Sequence, residues 1–274
     1  MIINSQRALY NVDLYLKFML GVPYKLLPNT SLNEKFDILP RVSVPKGVYP
    51  TLKYWAIGTG GNSVVDNVGG LNYSEHGALD AALFQQIPFV MKRLDDDVDP
   101  SIREKYRFRR VELINNEEYA CYYLKKIPGY TINDQFYKVV TKVMEDGTKQ
   151  SMLYLVDMND PAILDPVPRD RFITIDNVDA TTCYTKLAKL EFNLSSEEVE
   201  ELEKVMDLKK LERRNITEIA ACTGIETLTD DGAEASCVQV AMFFGVNLDL
   251  ALDLNKEGNI AKVIEIGGGE SLLG

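Results

Sequence analysis

Two stretches in the middle of this chain constrain its fold more than any other feature, because each is a pair of strand-like runs joined by a short polar turn. Residues 106–114 and 119–127 are rich in aromatic and β-branched side chains and flank Asn115-Asn116-Glu117-Glu118, whose residue types mark a hairpin. Residues 136–144 and 151–157 flank Asp146-Gly147, a tight-turn dipeptide. A parallel return would need a crossover of about a dozen residues or more, so both pairs run antiparallel. Residues 172–175 and 183–193 read as further strands, with a Pro- and Asp-rich loop at 159–170, and 238–250 and 259–266 read as closing strands. The expected class is α+β: an antiparallel β-rich core built as a meander of hairpins, without βαβ alternation.

Helical signals are fewer. Ser5 can cap a helix over 6–20, where Ala8, Val12, Tyr15 and Met19 share one face and Leu9, Leu16 and Leu20 widen it, until Gly21 and Pro23 end it. A helix that apolar needs burial, in its own chain or against a neighbour. Pro23, Pro28, Pro40, Pro45 and Pro50 punctuate 22–53. Each removes an amide donor and fixes φ, so an extended arm with short strands such as 42–44 is expected there. Pro88 splits 78–92 into a short helix and a short strand. Ser195 or Ser196 caps a helix running to about 211. Its first turns hold Glu197, Glu198, Glu200 and Glu201, and Lys209, Lys210, Arg213 and Arg214 sit at or past its end, an order that complements the helix dipole. Residues 217–222 are expected as a second short helix ended by Gly224. The division that follows is 1–53 (helix and arm), 54–194 (β core) and 195–274 (helix plus acidic, strand-containing region), the last two compatible with one domain.

Composition narrows the function classes. With 274 residues, 46% hydrophobic and 26% charged, the chain can bury a substantial core. No apolar run approaches the roughly 20 residues that span a bilayer, and the opening residues lack the basic-then-apolar order of a secretion signal. Cys121, Cys183, Cys222 and Cys237 are widely scattered, which suits reduced thiols better than a zinc cluster or a disulfide framework. Of the net charge of −11, −8 falls within 215–274, where ten carboxylates face only Lys256 and Lys262. Such a region repels nucleic acid.

The residues that carry chemistry form no complete site. His76 is the sole histidine and lies in the loop Glu75-His76-Gly77, so a Ser/His/Asp or Cys/His centre would have to use it. No GxSxG elbow accompanies it, and a loop histidine making ordinary hydrogen bonds is the expectation. Asp95, Asp97 and Asp99 imitate the start of a calcium loop, but Pro100 stands at the turn glycine and Tyr106 at the closing glutamate. Gly58-Thr59-Gly60-Gly61-Asn62 resembles a phosphate loop without its lysine, and Ser63 replaces the third glycine of a dinucleotide fingerprint. A backbone-driven turn is expected there. Lys105, Arg107 and Arg109 alternate with Tyr106 and Phe108, a pattern that can bind single-stranded nucleic acid. The nearby acids make internal pairing, or pairing to another subunit, the expectation. Tyr119, Tyr122, Tyr123, Tyr130 and Tyr137 crowd the hairpins as in a sheet packed on both sides. No catalytic, cofactor-binding or metal-binding residue is assigned.

Four segments carry a family resemblance: ALYNVDLYLKFMLGVPY at 8–24, KYWAIGTGGN at 53–62, HGALDAALFQQIPFVMKRLDDD at 76–97, and KYRFRRVE at 105–112 with YACYYLKKI at 119–127. Together they resemble neck or collar proteins of contractile-tailed bacteriophages, the structural parts between portal and tail. The resemblance implies a virion protein that forms a homo-oligomeric ring around a DNA channel. Its implied partners are copies of itself and other neck, portal or tail proteins, with no cofactor, no sequence-specific nucleic acid and no membrane. The class has no active site whose residues could be carried over. A baseplate or tail adaptor of the same virion and a small hydrolase using His76 are the alternatives.

Overall fold

The computed structural model describes residues 5–7, 32–36, 48–64, 71–73, 76–77, 80–144, 147, 149–159, 180–211, 215–228, 235–253 and 259–268. It is β-rich and antiparallel, as the hairpins require. Its compact units are discontinuous in sequence: Met1–Ile127 joins Asn193–Ala261, and Pro128–Phe192 joins Lys262–Gly274. This differs from the expected division, which kept 54–194 together. Long-range pairing of late strands with early ones sets the boundary, and nothing local in the sequence marks such pairing.

The first unit is built on an eight-stranded sheet in the order β1-β13-β12-β2-β8-β6, with β5 on β2 and β7 on β8. The strands are β1 (Ser5–Arg7), β2 (Thr51–Gly58), β5 (Gln86–Ile87), β6 (Val90–Arg93), β7 (Tyr106–Ile114), β8 (Glu117–Lys126), β12 (Asn215–Leu228) and β13 (Ala235–Asp253). A small pair, β3 (Asn62–Val64) and β4 (Leu71–Tyr73), stands apart. The β7–β8 turn is two residues long, and Asn115 and Asn116 take φ of 52° and 67°, the left-handed values that such a hairpin demands and asparagine tolerates.

Central strands β2 and β12 are buried on both faces. On one face Tyr54, Ala56, Ala220 and Cys222 join Phe108, Tyr123, Val205 and Val240. On the other, Trp55 meets Phe89 edge-on at 4.8 Å. Among the described residues the unit also holds two short α-helices, α1 (Leu32–Lys35) and α2 (Pro100–Arg103), and a longer one, α3 (Ser196–Leu208). The α3 start carries a capping box: the Ser195 hydroxyl accepts from the Glu198 amide, and the Glu198 carboxylate accepts from the Ser195 amide. Asp99 caps α2 through the Ser101 amide.

Three helical expectations fail or fall elsewhere. Residues 217–222 are strand β12, not helix. A strand covered on both faces loses its polar alternation, and Ile-Ala-Ala-Cys then resembles a buried helix. Residues 80–85 form turns leading into β5 instead of the expected short helix. Ser5–Arg7 pairs with Phe244–Val246 as a strand, and the rest of the expected 6–20 helix lies outside the described residues. Within the expected arm, Leu32–Lys35 is one helical turn whose Leu32 is buried in the core. The expected strands at 42–44 and 172–175 lie outside the described residues.

The second unit is a four-stranded sheet in the order β10-β9-β11-β14: β10 (Lys149–Leu155), β9 (Tyr130–Val143), β11 (Ala180–Leu194) and β14 (Ile260–Gly268), the ends of the last two belonging to the first unit. No side chain of β9 is buried. Gly147, at the β9–β10 turn, has φ of 81°, which glycine adopts without a Cβ penalty.

Candidate functional site

The sole histidine lies in irregular backbone and is hydrogen-bonded, as expected of a loop histidine, and it is buried. His76 is 5% exposed and is held between two carboxylates. Its Nε2 lies 3.0 Å from Glu218 Oε1, and its Nδ1 lies 3.2 Å from Asp80 Oδ2. One face of the imidazole stacks on the Phe84 ring at 4.2 Å. Glu218, on β12, is 0% exposed. It accepts from the backbone amides of Gly60 at 2.8 Å, Phe84 at 2.9 Å and Gln85 at 3.3 Å as well as from His76. The Gly77 amide donates to Asp80 at 2.8 Å, fixing the second carboxylate.

The glycine run therefore binds an anion after all, and the anion is the protein's own glutamate. Backbone must come very close to do this. A Cβ on Gly58 would stand 2.5 Å from Glu218 Oε2, and a Cβ on Gly245 would stand 2.8 Å from His76 Cδ2. Next to the glutamate, the Gly61 amide donates to the Thr217 hydroxyl at 3.2 Å.

Electrostatics follow from this geometry. Burial works against charge on both partners, and the contacts between them prevail. The Glu218 bond and charge, then those of Asp80, hold His76 above its ordinary pKa. The His76 bond and the three amides hold Glu218 below the usual carboxylate range. With a carboxylate facing each ring nitrogen, the protonated ring can donate from both, and in that form it has no free lone pair to act as a base. What the cluster does is fasten the 58–61 turn and the 76–86 segment to β12.

The other sequence candidates are also engaged internally. Asp97 accepts from Arg109 Nε at 3.0 Å and from the Tyr122 hydroxyl at 3.0 Å, with Arg103 Nη2 at 3.4 Å. Asp95 pairs with Arg93, and Asp99 caps α2, so the three aspartates do not converge. Arg107 is 4% exposed, bonded to Glu226 and to the carbonyls of Arg103, Glu104 and Tyr106. Consecutive Tyr106, Arg107 and Phe108 are all buried because Phe108 takes φ of 63°, which breaks the expected alternation of faces. Lys126 adds a second cation to Glu226 at 2.9 Å.

Helix α3 is fastened at three points. Lys125 Nζ donates to Glu198 and to the Asn193 carbonyl, each at 2.6 Å, and the Tyr106 hydroxyl donates to Glu198 at 2.9 Å. Lys92 meets Glu201 at 2.6 Å. Lys209 donates to Glu112 at 2.7 Å and to the Tyr123 hydroxyl at 3.2 Å, and that hydroxyl donates to Glu112 in turn. Cys121, Cys222 and Cys237 are buried and not in disulfides, and burial pushes the Cys121 and Cys237 thiols up to about 12.

Among the described residues, no group of three or more His, Cys, Asp or Glu side chains is placed to hold a metal ion, and no helix is long and apolar enough to cross a membrane. A family model described as a family of unknown function, DUF7208, matches residues 3–273. No curated protein and no solved structure matches the chain.

Proposed function

We propose, from the premise that the chain belongs to DUF7208, a family of unknown function, that it is a non-enzymatic structural protein of a tailed-phage virion. It forms a homo-oligomeric ring of the neck or collar around the DNA channel. The place in the virion rests on the likeness of its first-half segments to neck and collar proteins. One observation supports assembly: large apolar side chains are exposed together on the second unit's sheet. Tyr130, Ile132, Phe136 and Val143 of β9 and Met152, Leu153, Tyr154 and Leu155 of β10 are all exposed. Large apolar side chains left open on a sheet suit contacts between proteins.

The polar groups support the same reading. His76, Asp97, Arg107 and Glu226 are occupied in holding the fold. Glu218 and Glu226, two of the ten carboxylates within 215–274, are likewise held inside the fold. Electron microscopy of the purified protein, alone and mixed with portal and tail-tube proteins, tests the proposal. Rings with a central channel that join portal or tail tube are expected. A strict monomer in every mixture would overturn it, and binding to baseplate proteins alone would move the protein to the adaptor role. Loss of a measured hydrolytic activity in His76→Ala, with assembly intact, would replace both with the enzyme.

A further inference from the structure

The outer strand of the second unit's sheet is unguarded. Edge strands normally carry a lysine, a proline or a bulge that discourages another strand from pairing. β10 pairs with β9 through seven consecutive residues, Lys149 to Leu155, without a bulge. From Gln150 to Val156 its sequence holds no charge, no glycine and no proline. Met152, Leu153, Tyr154 and Leu155 are exposed in succession, so both faces of the strand are apolar and open. Among the described residues no strand lies beyond it in the sheet.

Charge closes this segment at both ends with opposite signs: Lys149 before it and Asp157 after it. We propose that the β10 edge pairs antiparallel with the β10 edge of a second copy of this chain. In the register that places Leu153 opposite itself, Met152 faces Tyr154, Ser151 faces Leu155, and Lys149 faces Asp157 at each end. Two cross-strand ion pairs then bracket an uncharged centre, and like charges meet nowhere along the ladder. A register slip of one residue separates these pairs and turns the strand's side chains to the wrong faces.

The contact is two-fold and closes on itself, so it makes a pair and not a ring. A ring built head to tail uses other surfaces, and this edge then joins copies across such rings. The inference therefore stands or falls apart from the ring reading.

Disulfide trapping in the full-length protein tests it. Leu153→Cys places one thiol on each side of the two-fold axis, within the reach of a disulfide. Mild oxidation is expected to give a covalent dimer that the unmodified chain does not give. In that background Lys149→Asp or Asp157→Lys alone sets like charges opposite each other, and dimer yield at a fixed concentration is expected to fall about tenfold. The double swap Lys149→Asp/Asp157→Lys restores opposite charges and is expected to restore the yield. No Leu153→Cys dimer, single swaps that match their parent, or a double swap no better than the singles would each overturn the contact. Rings that persist without the cross-link would overturn the contact alone. A protein monomeric at every concentration would overturn the contact and the ring together.

Discussion

The two units use their polar and apolar residues in opposite ways. In the first, the charged groups turn inward: Glu218 is wholly buried and accepts from four donors, and Arg107 reaches Glu226 from a nearly closed site. In the second, β9 has no buried side chain, and tyrosine, leucine, methionine and phenylalanine face solvent. A buried ion pair is weak evidence for net stability, because desolvation offsets most of the attraction. What such a network does well is fix one arrangement of loops and strands. An open apolar sheet fixes nothing by itself and needs something to cover it. The lesson is that the groups most suggestive of chemistry are tied into the fold, while the plainest surface is the one left open.

The comparison can be broken most severely at Glu218. Glu218→Ala leaves three amides and the His76 ring without their partner in a closed site. A loss of about 3–5 kcal/mol in denaturant unfolding is expected. A loss under about 1 kcal/mol would show that the cluster is incidental. Lys125→Ala, which takes the cation from Glu198 and a donor from the Asn193 carbonyl, is expected to cost about 2–3 kcal/mol in the same measurement. Gly245→Ala drives a methyl into the His76 ring and is expected to cost about 1–3 kcal/mol, less if His76→Ala is already present.

Acidity separates the units more gently. His76 has its pKa raised by folding, so its contribution is fully present below about 6.5, its unfolded value, and is lost as pH rises through the raised folded value. Glu218 has its pKa lowered, so its contribution is present above about 4.3 and is lost as pH falls through the lowered folded value. Thermal unfolding against pH is expected to show both limbs, with the alkaline one flattened in His76→Ala. The smallest effect belongs to the second unit. Tyr154→Ser, at an exposed strand position, is expected to change stability by no more than about 0.5 kcal/mol while reducing self-association.

Local signals made part of this legible. Asn115-Asn116-Glu117-Glu118 and Asp146-Gly147 announce their hairpins, and Ser195 or Ser196 announces the start of α3, because turn and cap chemistry lies within four residues. The site was not legible in the same way. Glu218 is 142 residues from His76, and it sits in a run that reads as helix because β12 is covered on both faces. The glycine run was expected as a backbone-driven turn, and nothing in it marks Glu218 as the acceptor of the Gly60 amide. The pairing of β12 with β2, which draws 193–261 back to the N-terminal unit, has no local signal at all.

Hydrogen–deuterium exchange across residues 150–156 of the full-length protein, followed from dilute to concentrated solution, tests the central claim most directly. If the second unit's open sheet is completed by another copy, the outward amides of β10 gain protection as concentration rises, while the strands of the first unit exchange unchanged. Exchange in β10 that is equally fast at every concentration would contradict the account.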